Sequence, residues 1–190
     1  MAISTIDQTG LNAPLTLNSP VISTITNGAA TLTLPTTTGT ILAKNSSGYF
    51  TNPNQPAFAA SLNGSNQTIT SGSNVVLTYG NAITNQSNSY NASTYTFTAP
   101  VAGFYFLSAR VRLDGITGGG NYGLLGLQTT NQTFTSIYSS SASYSELSIQ
   151  TCIYMTQGNT AYVYGNSNGQ TLTVINSQPN YSDFSGFLIC

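Results

Sequence analysis

Four carboxylates and three cations are the whole charged stock of this 190-residue chain, which has no histidine. The acids, Asp7, Asp114, Glu146 and Asp183, are far apart along the sequence. General acid–base catalysis near neutral pH needs a group with a pKa close to the working pH, most often an imidazole, and nucleophilic catalysis needs a base beside its nucleophile. No Ser-His-Asp, Cys-His or Ser-Lys arrangement can be assembled from a neighbouring set here. A glycosidase can be built from two carboxylates that folding brings together, but the reading adopted is recognition without catalysis. Cys152 and Cys190 lack CxxC or other metal-ligand spacing. Cys152, in an apolar run, is expected to be a buried small side chain, and no metal or cofactor is expected. The Gly-x-Gly patterns lack the strand-to-helix setting of a phosphate cradle, which sets nucleotide binding aside. What is left for recognition is rings, amides and hydroxyls. The loop Gly118-Gly119-Gly120-Asn121-Tyr122-Gly123 and the stretch Tyr138 to Tyr144 offer flat rings for sugar faces and polar groups for sugar hydroxyls. Asn121, Tyr122, Tyr138 and Tyr144 are therefore the candidate contacts to a host-surface glycan or protein.

The elements that must position these residues are strands. Gly and Asn/Ser clusters recur every 8 to 15 residues between short runs rich in Thr, Tyr, Val, Ile and Phe, and no stretch sustains an apolar 3.6-residue period. Charged residues are only 4% of the chain and the net charge is −1. Lys44, Arg110 and Arg112 cannot make the phosphate-neutralising stripe of a nucleic-acid partner, so none is expected. No run reaches the roughly 20 apolar residues of a membrane span, so no membrane insertion is expected. The N-terminus lacks the basic and apolar regions of a secretory signal, which implies folding in a cytosol.

Within Gly103 to Leu113, alternation puts Tyr105, Leu107, Ala109, Val111 and Leu113 on one face, the expected core, and Phe104, Phe106, Ser108, Arg110 and Arg112 on the other. Leu147, Ile149, Ile153 and Met155 likewise oppose Cys152 and Tyr154, and Ala161 and Val163 oppose Tyr162 and Tyr164. Phe104, Phe106, Tyr154, Tyr162 and Tyr164 thus form a second aromatic row that does not enter the core. Burying one such ring is worth about 1.5–3 kcal/mol, so the five are read as the interface of an oligomer. With so few charges, the association is expected to be nearly independent of salt.

Residues 1–54 differ from the rest. They are rich in Thr, Asn and Pro with sparse aliphatics, and Leu15-Thr16-Leu17 recurs as Leu32-Thr33-Leu34. So thin an apolar content cannot build a core, so this segment is expected to be extended and to order by winding with its copies or by docking on another protein. Leu15, Leu17, Leu32, Leu34 and Ile41 are its candidate anchors.

Two resemblances give these readings a frame. Tyr79, Asn85, Tyr90, Phe97, Gly103, Tyr105 and Leu107, the closing run Ser182-Asp183-Phe184-Ser185-Gly186-Phe187-Leu188-Ile189, and the opening Pro56-Ala57-Phe58-Ala59-Ala60 resemble the globular head of complement component 1q, a jelly-roll family related in fold to tumour necrosis factor. The departures are Tyr79 and Leu107 in place of Phe, Ala109 in place of an aromatic, and Gly158-Asn159 in place of Gly-Asp. The resemblance implies an all-β jelly-roll sandwich over residues 55–190 that associates as a homotrimer through one sheet. The second resemblance is the run from Ala29 to Leu42, Ala-Ala-Thr-Leu-Thr-Leu-Pro-Thr-Thr-Thr-Gly-Thr-Ile-Leu, which is similar to segments of tail fibres and appendages of tailed bacteriophages. Together they imply a non-enzymatic virion protein assembled in a host cytoplasm. Residues 1–54 would join other virion proteins and the trimeric head would contact the host surface, as a tail fibre or receptor-binding appendage. The alternative is a capsid decoration or head-fibre protein that stabilises or adorns the shell.

Overall fold

The computed structural model describes residues 24–27, 30–33, 55–117, 119–139, 142–176 and 181–189. The chain divides into two units, Met1–Thr51 and Asn52–Cys190. In the first, β1 (Thr24–Asn27) and β2 (Ala30–Thr33) form an antiparallel pair from Thr24↔Thr33 to Asn27↔Ala30. This pair lies within the stretch read from sequence as extended. Leu32 falls in β2, whereas Leu15, Leu17, Leu34 and Ile41 lie outside the described residues.

The second unit opens with six short strands, β3 (Ala57–Ser61), β4 (Gln67–Ile69), β5 (Val75–Val76), β6 (Asn81–Gln86), β7 (Tyr90–Asn91) and β8 (Thr96–Thr98). The longer β9 (Gly103–Ile116), β10 (Tyr122–Thr129), β11 (Thr133–Tyr138), β12 (Ala142–Met155) and β13 (Thr160–Asn168) follow, then β14 (Leu172–Val174) and β15 (Asp183–Leu188). They make an all-β sandwich of two antiparallel sheets. The larger runs β4-β14-β9-β15-β3-β6 with β12 along β9, and the smaller runs β11-β10-β13-β8-β7 with β5 on β13.

Alternation explains the core. Tyr105, Leu107, Ala109, Val111 and Leu113 of β9 are all at most 1% exposed, as are Leu125 and Leu127 of β10 and Ala161 and Val163 of β13. Residues of both sheets therefore fill one interior. At one end of it Phe58 stacks on Tyr90 and Phe97 at 5.0 and 4.8 Å, with Phe184 edge-on at 4.8 Å. Buried tyrosines survive there because their hydroxyls have acceptors. Tyr79 Oη donates to the Arg110 carbonyl at 3.1 Å, Tyr90 Oη to the Tyr79 carbonyl at 2.8 Å, and Tyr105 Oη to the Val101 carbonyl at 2.8 Å.

The five-residue spacing of Asn85 and Tyr90 has a physical cause as well. The Asn85 amide donates to the Tyr90 carbonyl at 2.8 Å and accepts from the Tyr90 backbone N–H at 2.9 Å, closing the β6–β7 turn as a backbone strand would. Gly186 is needed for a close approach: a Cβ there would stand 2.6 Å from Leu107 Cδ2 and 2.9 Å from the Phe106 carbonyl oxygen.

Candidate functional site

The outer face of the larger sheet carries both the aromatic and the charged side chains of the head. Phe104 lies opposite Tyr154 and Phe106 opposite Cys152 in the β9–β12 ladder, and Phe106 also faces Phe187 in the β9–β15 ladder. Phe104 and Tyr154 meet edge to face at 5.4 Å, and Phe106 and Phe187 meet at a tilt at 5.5 Å. Phe104, Tyr154, Phe187 and Ile189 remain 47, 52, 47 and 46% exposed. Phe187 is not among the interface residues expected from sequence. Its signal is nonetheless in the sequence pattern: Phe184 and Gly186 are buried, so alternation along β15 puts Phe187 on the opposite face.

Tyr162 and Tyr164 do not join this patch. They lie on β13, in the other sheet, and point away from the sandwich in the opposite direction. Alternation along one strand identifies a non-core side but not which sheet the strand belongs to, and the five-ring row divides for that reason. Tyr164 is only 7% exposed, because its ring lies over Gly126, its register partner on β10, where a Cβ would come within 2.1 Å of the ring. That burial raises its phenol pKa. Cys152 also departs from expectation, since it is exposed on the aromatic face instead of buried. Cys190 lies outside the described residues.

The four candidate glycan contacts occupy one end of the sandwich but three different surfaces. Tyr138, paired with Gly123, packs against the core. Tyr122 points away from the smaller sheet, since its neighbour Gly123 faces Leu172, Leu113 and Ile116. Tyr144 lies on the outer face of the larger sheet, opposite Asp114. Asn121 donates from Nδ2 to Thr117 Oγ1 at 3.1 Å. The rings are close in sequence across two loops, but the turns between strands send them to separate faces, so no common platform forms from them.

The charges converge where the tyrosines do not. Arg110, Arg112, Asp114, Glu146 and Asp183 are the only charged residues of the head, and all five sit on this same outer face. Arg110 donates from Nε and Nη2 to Asp183 Oδ1 at 3.0 and 2.9 Å. Arg112 grips Asp114 with two bonds, Nε to Oδ1 at 2.9 Å and Nη2 to Oδ2 at 3.3 Å. Its guanidinium also lies over the rings of Tyr144 and Tyr181, 4.5 and 5.0 Å from their centroids. The hydrogen bond to Asp114 raises the Arg112 pKa further. Both Asp carboxylates are thus held by guanidinium groups, an arrangement suited to cohesion and not to proton transfer. Among the described residues no three His, Cys, Asp or Glu side chains are placed to hold a metal ion.

Comparison with known proteins agrees with this architecture. Residues 57–189 match the family model of the C1q domain. Among solved structures, the globular domain of the zebrafish complement 1qA protein aligns with a TM-score of 0.53 and 17% identity, covering 71% of this chain and 98% of that one. The Eiger TNF structure from S. frugiperda aligns with a TM-score of 0.53 and 11% identity, covering 72% of this chain and 94% of that one. No curated protein matches, and no enzymatic family is indicated. With most of its length matched from Ala57 to Ile189, the chain belongs to the C1q domain family.

Proposed function

We propose that this chain is a non-enzymatic structural and attachment protein of a tailed-bacteriophage particle. Its head forms a homotrimer through the outer face of the larger sheet, and residues 1–54 hold the head to other virion proteins. The observation that carries the reading is this face. An aromatic cluster half open to solvent, beside every charge the head possesses, is a costly surface for a monomer to expose and a natural one to bury against copies of itself. C1q and TNF-like domains commonly form trimers, which supports the same assembly. The phage setting rests on the Thr-rich segment from Ala29 to Leu42. A tail-fibre or receptor-binding appendage is the favoured placement, with a capsid decoration or head fibre as the alternative.

The test has two arms. Sedimentation of the purified full chain should give a trimer at micromolar concentration, and a monomer would remove the assembly. Gold labelling of an epitope tag after Ile189 should mark phage particles at the tail. Label on the shell would select the decoration reading, and unlabelled particles would refute the virion role.

A further inference from the structure

We propose that the Glu146 carboxylate takes the Arg110 guanidinium of a second copy, making a ring of intersubunit ion pairs at the charged end of the assembly face. This rests on the trimer reading above. Three observations lead to it.

First, Glu146 is exposed on β12 directly opposite Arg112 on β9, the pairing in which a cross-strand ion pair would normally form. Arg112 turns instead to Asp114 and to the rings of Tyr144 and Tyr181, so among the described residues Glu146 makes no ion pair with either cation of its own head.

Second, a carboxylate carried into a packed interface must be matched by a cation, because desolvating it alone is strongly unfavourable. The head has two cations to offer. Arg112 is enclosed by two rings and a bidentate carboxylate, with 23% of its side chain exposed, whereas 41% of the Arg110 side chain is open to solvent.

Third, Arg110 directs both Nε and Nη2 to a single oxygen, Oδ1 of Asp183. Its ion pair is with one oxygen at the edge of the exposed face, so a second carboxylate can approach the guanidinium without the Asp183 pair breaking. A copy-to-copy bond there would set the rotational register of the subunits, which the aromatic end alone, with its non-directional attraction, does not fix.

The experiment compares the full-length parent, Glu146→Gln, Arg110→Gln and the double variant by sedimentation across a dilution series at low and high salt. Each single substitution should raise the dissociation concentration about tenfold. The double should be no worse than either single, the signature of a shared bond. The salt sensitivity of the parent should be largely lost in Glu146→Gln. Because Arg110→Gln also removes the Asp183 pair, Glu146→Arg is included as a second disruption that leaves that pair intact, and it should weaken assembly more than Glu146→Gln. The proposal is overturned if Glu146→Gln assembles as tightly as the parent, if the two single effects simply add, or if a chelator dissociates the parent, which would mean that a bound cation and not Arg110 matches the carboxylate. If Phe104→Ala dissociates the assembly while Glu146→Gln does not, this inference falls and the trimer stands; a monomeric parent removes both.

Discussion

Replacing Phe104 by alanine should break the proposed trimer while leaving the head folded. The ring is 47% exposed in one protomer, and its neighbours Tyr154 and Phe187 are 52 and 47% exposed. An aromatic side chain buries about 150–250 Å² in full, so each of these rings leaves roughly 100 Å² to be covered by a second copy. At about 25 cal/mol per Å² that is roughly 2.5 kcal/mol per ring, or about 22 kcal/mol for three rings in three copies. Each of the two association steps costs about 4–15 kcal/mol, so the surplus is small compared with what one ring type supplies. Truncating Phe104 in all three copies removes about 7 kcal/mol, roughly a 10⁵-fold change in the trimer equilibrium constant. The concentration of half-dissociation varies as its square root, so it should rise by about two to three orders of magnitude. Sedimentation equilibrium reads this directly. Ile137→Ala is the control: it is 58% exposed but sits on β11, in the other sheet, and should leave assembly unchanged. An unshifted Phe104→Ala trimer, or an equal shift from Ile137→Ala, would refute the assignment of this face.

Two further outcomes test the head itself. Gly186→Ala should lower its stability by about 1–3 kcal/mol, the usual cost of overpacking, because the new methyl meets the Phe106 carbonyl, which is backbone and cannot swing aside. Urea unfolding of the variant at an unchanged midpoint would contradict this. Stability should also fall as the solution becomes strongly alkaline. Burial raises the phenol of Tyr79 well above its ordinary 10.0, and burial followed by the neighbouring Tyr95 raises that of Tyr90. A raised folded-state pKa makes the contribution complete below about pH 10 and lost as pH climbs from there towards the folded value, since the unfolded chain releases those protons first. Every tenfold by which folding tightens a phenol's hold on its proton adds about 1.4 kcal/mol to that contribution. Tyrosinate absorbance should show these two rings ionising only together with unfolding, and free titration of all twelve tyrosines in a still-folded head would count against it.

The sequence makes local alternation readable and leaves partner choice obscure. The inward set of β9, from Tyr105 to Leu113, follows from side chains alternating across a strand, and the structure buries every one of them. The sheet to which a strand belongs is a long-range fact. Tyr164 meets Gly126 across 38 residues and Phe106 meets Phe187 across 81, distances over which composition and periodicity carry no information. Periodicity therefore groups Tyr162 and Tyr164 with rings on the opposite side of the sandwich and passes over Phe187. The tyrosines near the Gly118–Gly123 loop separate for a related reason. Proximity along the chain near a turn says little about direction, and Tyr138 turns inward while Tyr122 and Tyr144 face opposite ways. Asp183 and Arg110, 73 residues apart, show the converse, since an acid remote in sequence is a neighbour across β15 and β9.

That convergence changes what the low charge content implies. Counted along the chain, so few charges suggest an assembly indifferent to salt, but every charge of the head lies on the face proposed to be buried. Two guanidiniums against three carboxylates leave one negative charge per copy on that face. Three copies brought within about a Debye length, roughly 8–10 Å, must therefore either repel or interlock, and salt acts with opposite sign in the two cases. If the copies only stack their aromatic ends and hold the charged ends apart, salt screens the repulsion and strengthens the trimer. If Glu146 of each copy meets a guanidinium of the next, salt screens attraction and weakens it. The direction of the salt effect, more than its size, thus separates an interface held by rings alone from one in which the charged residues are its directional half.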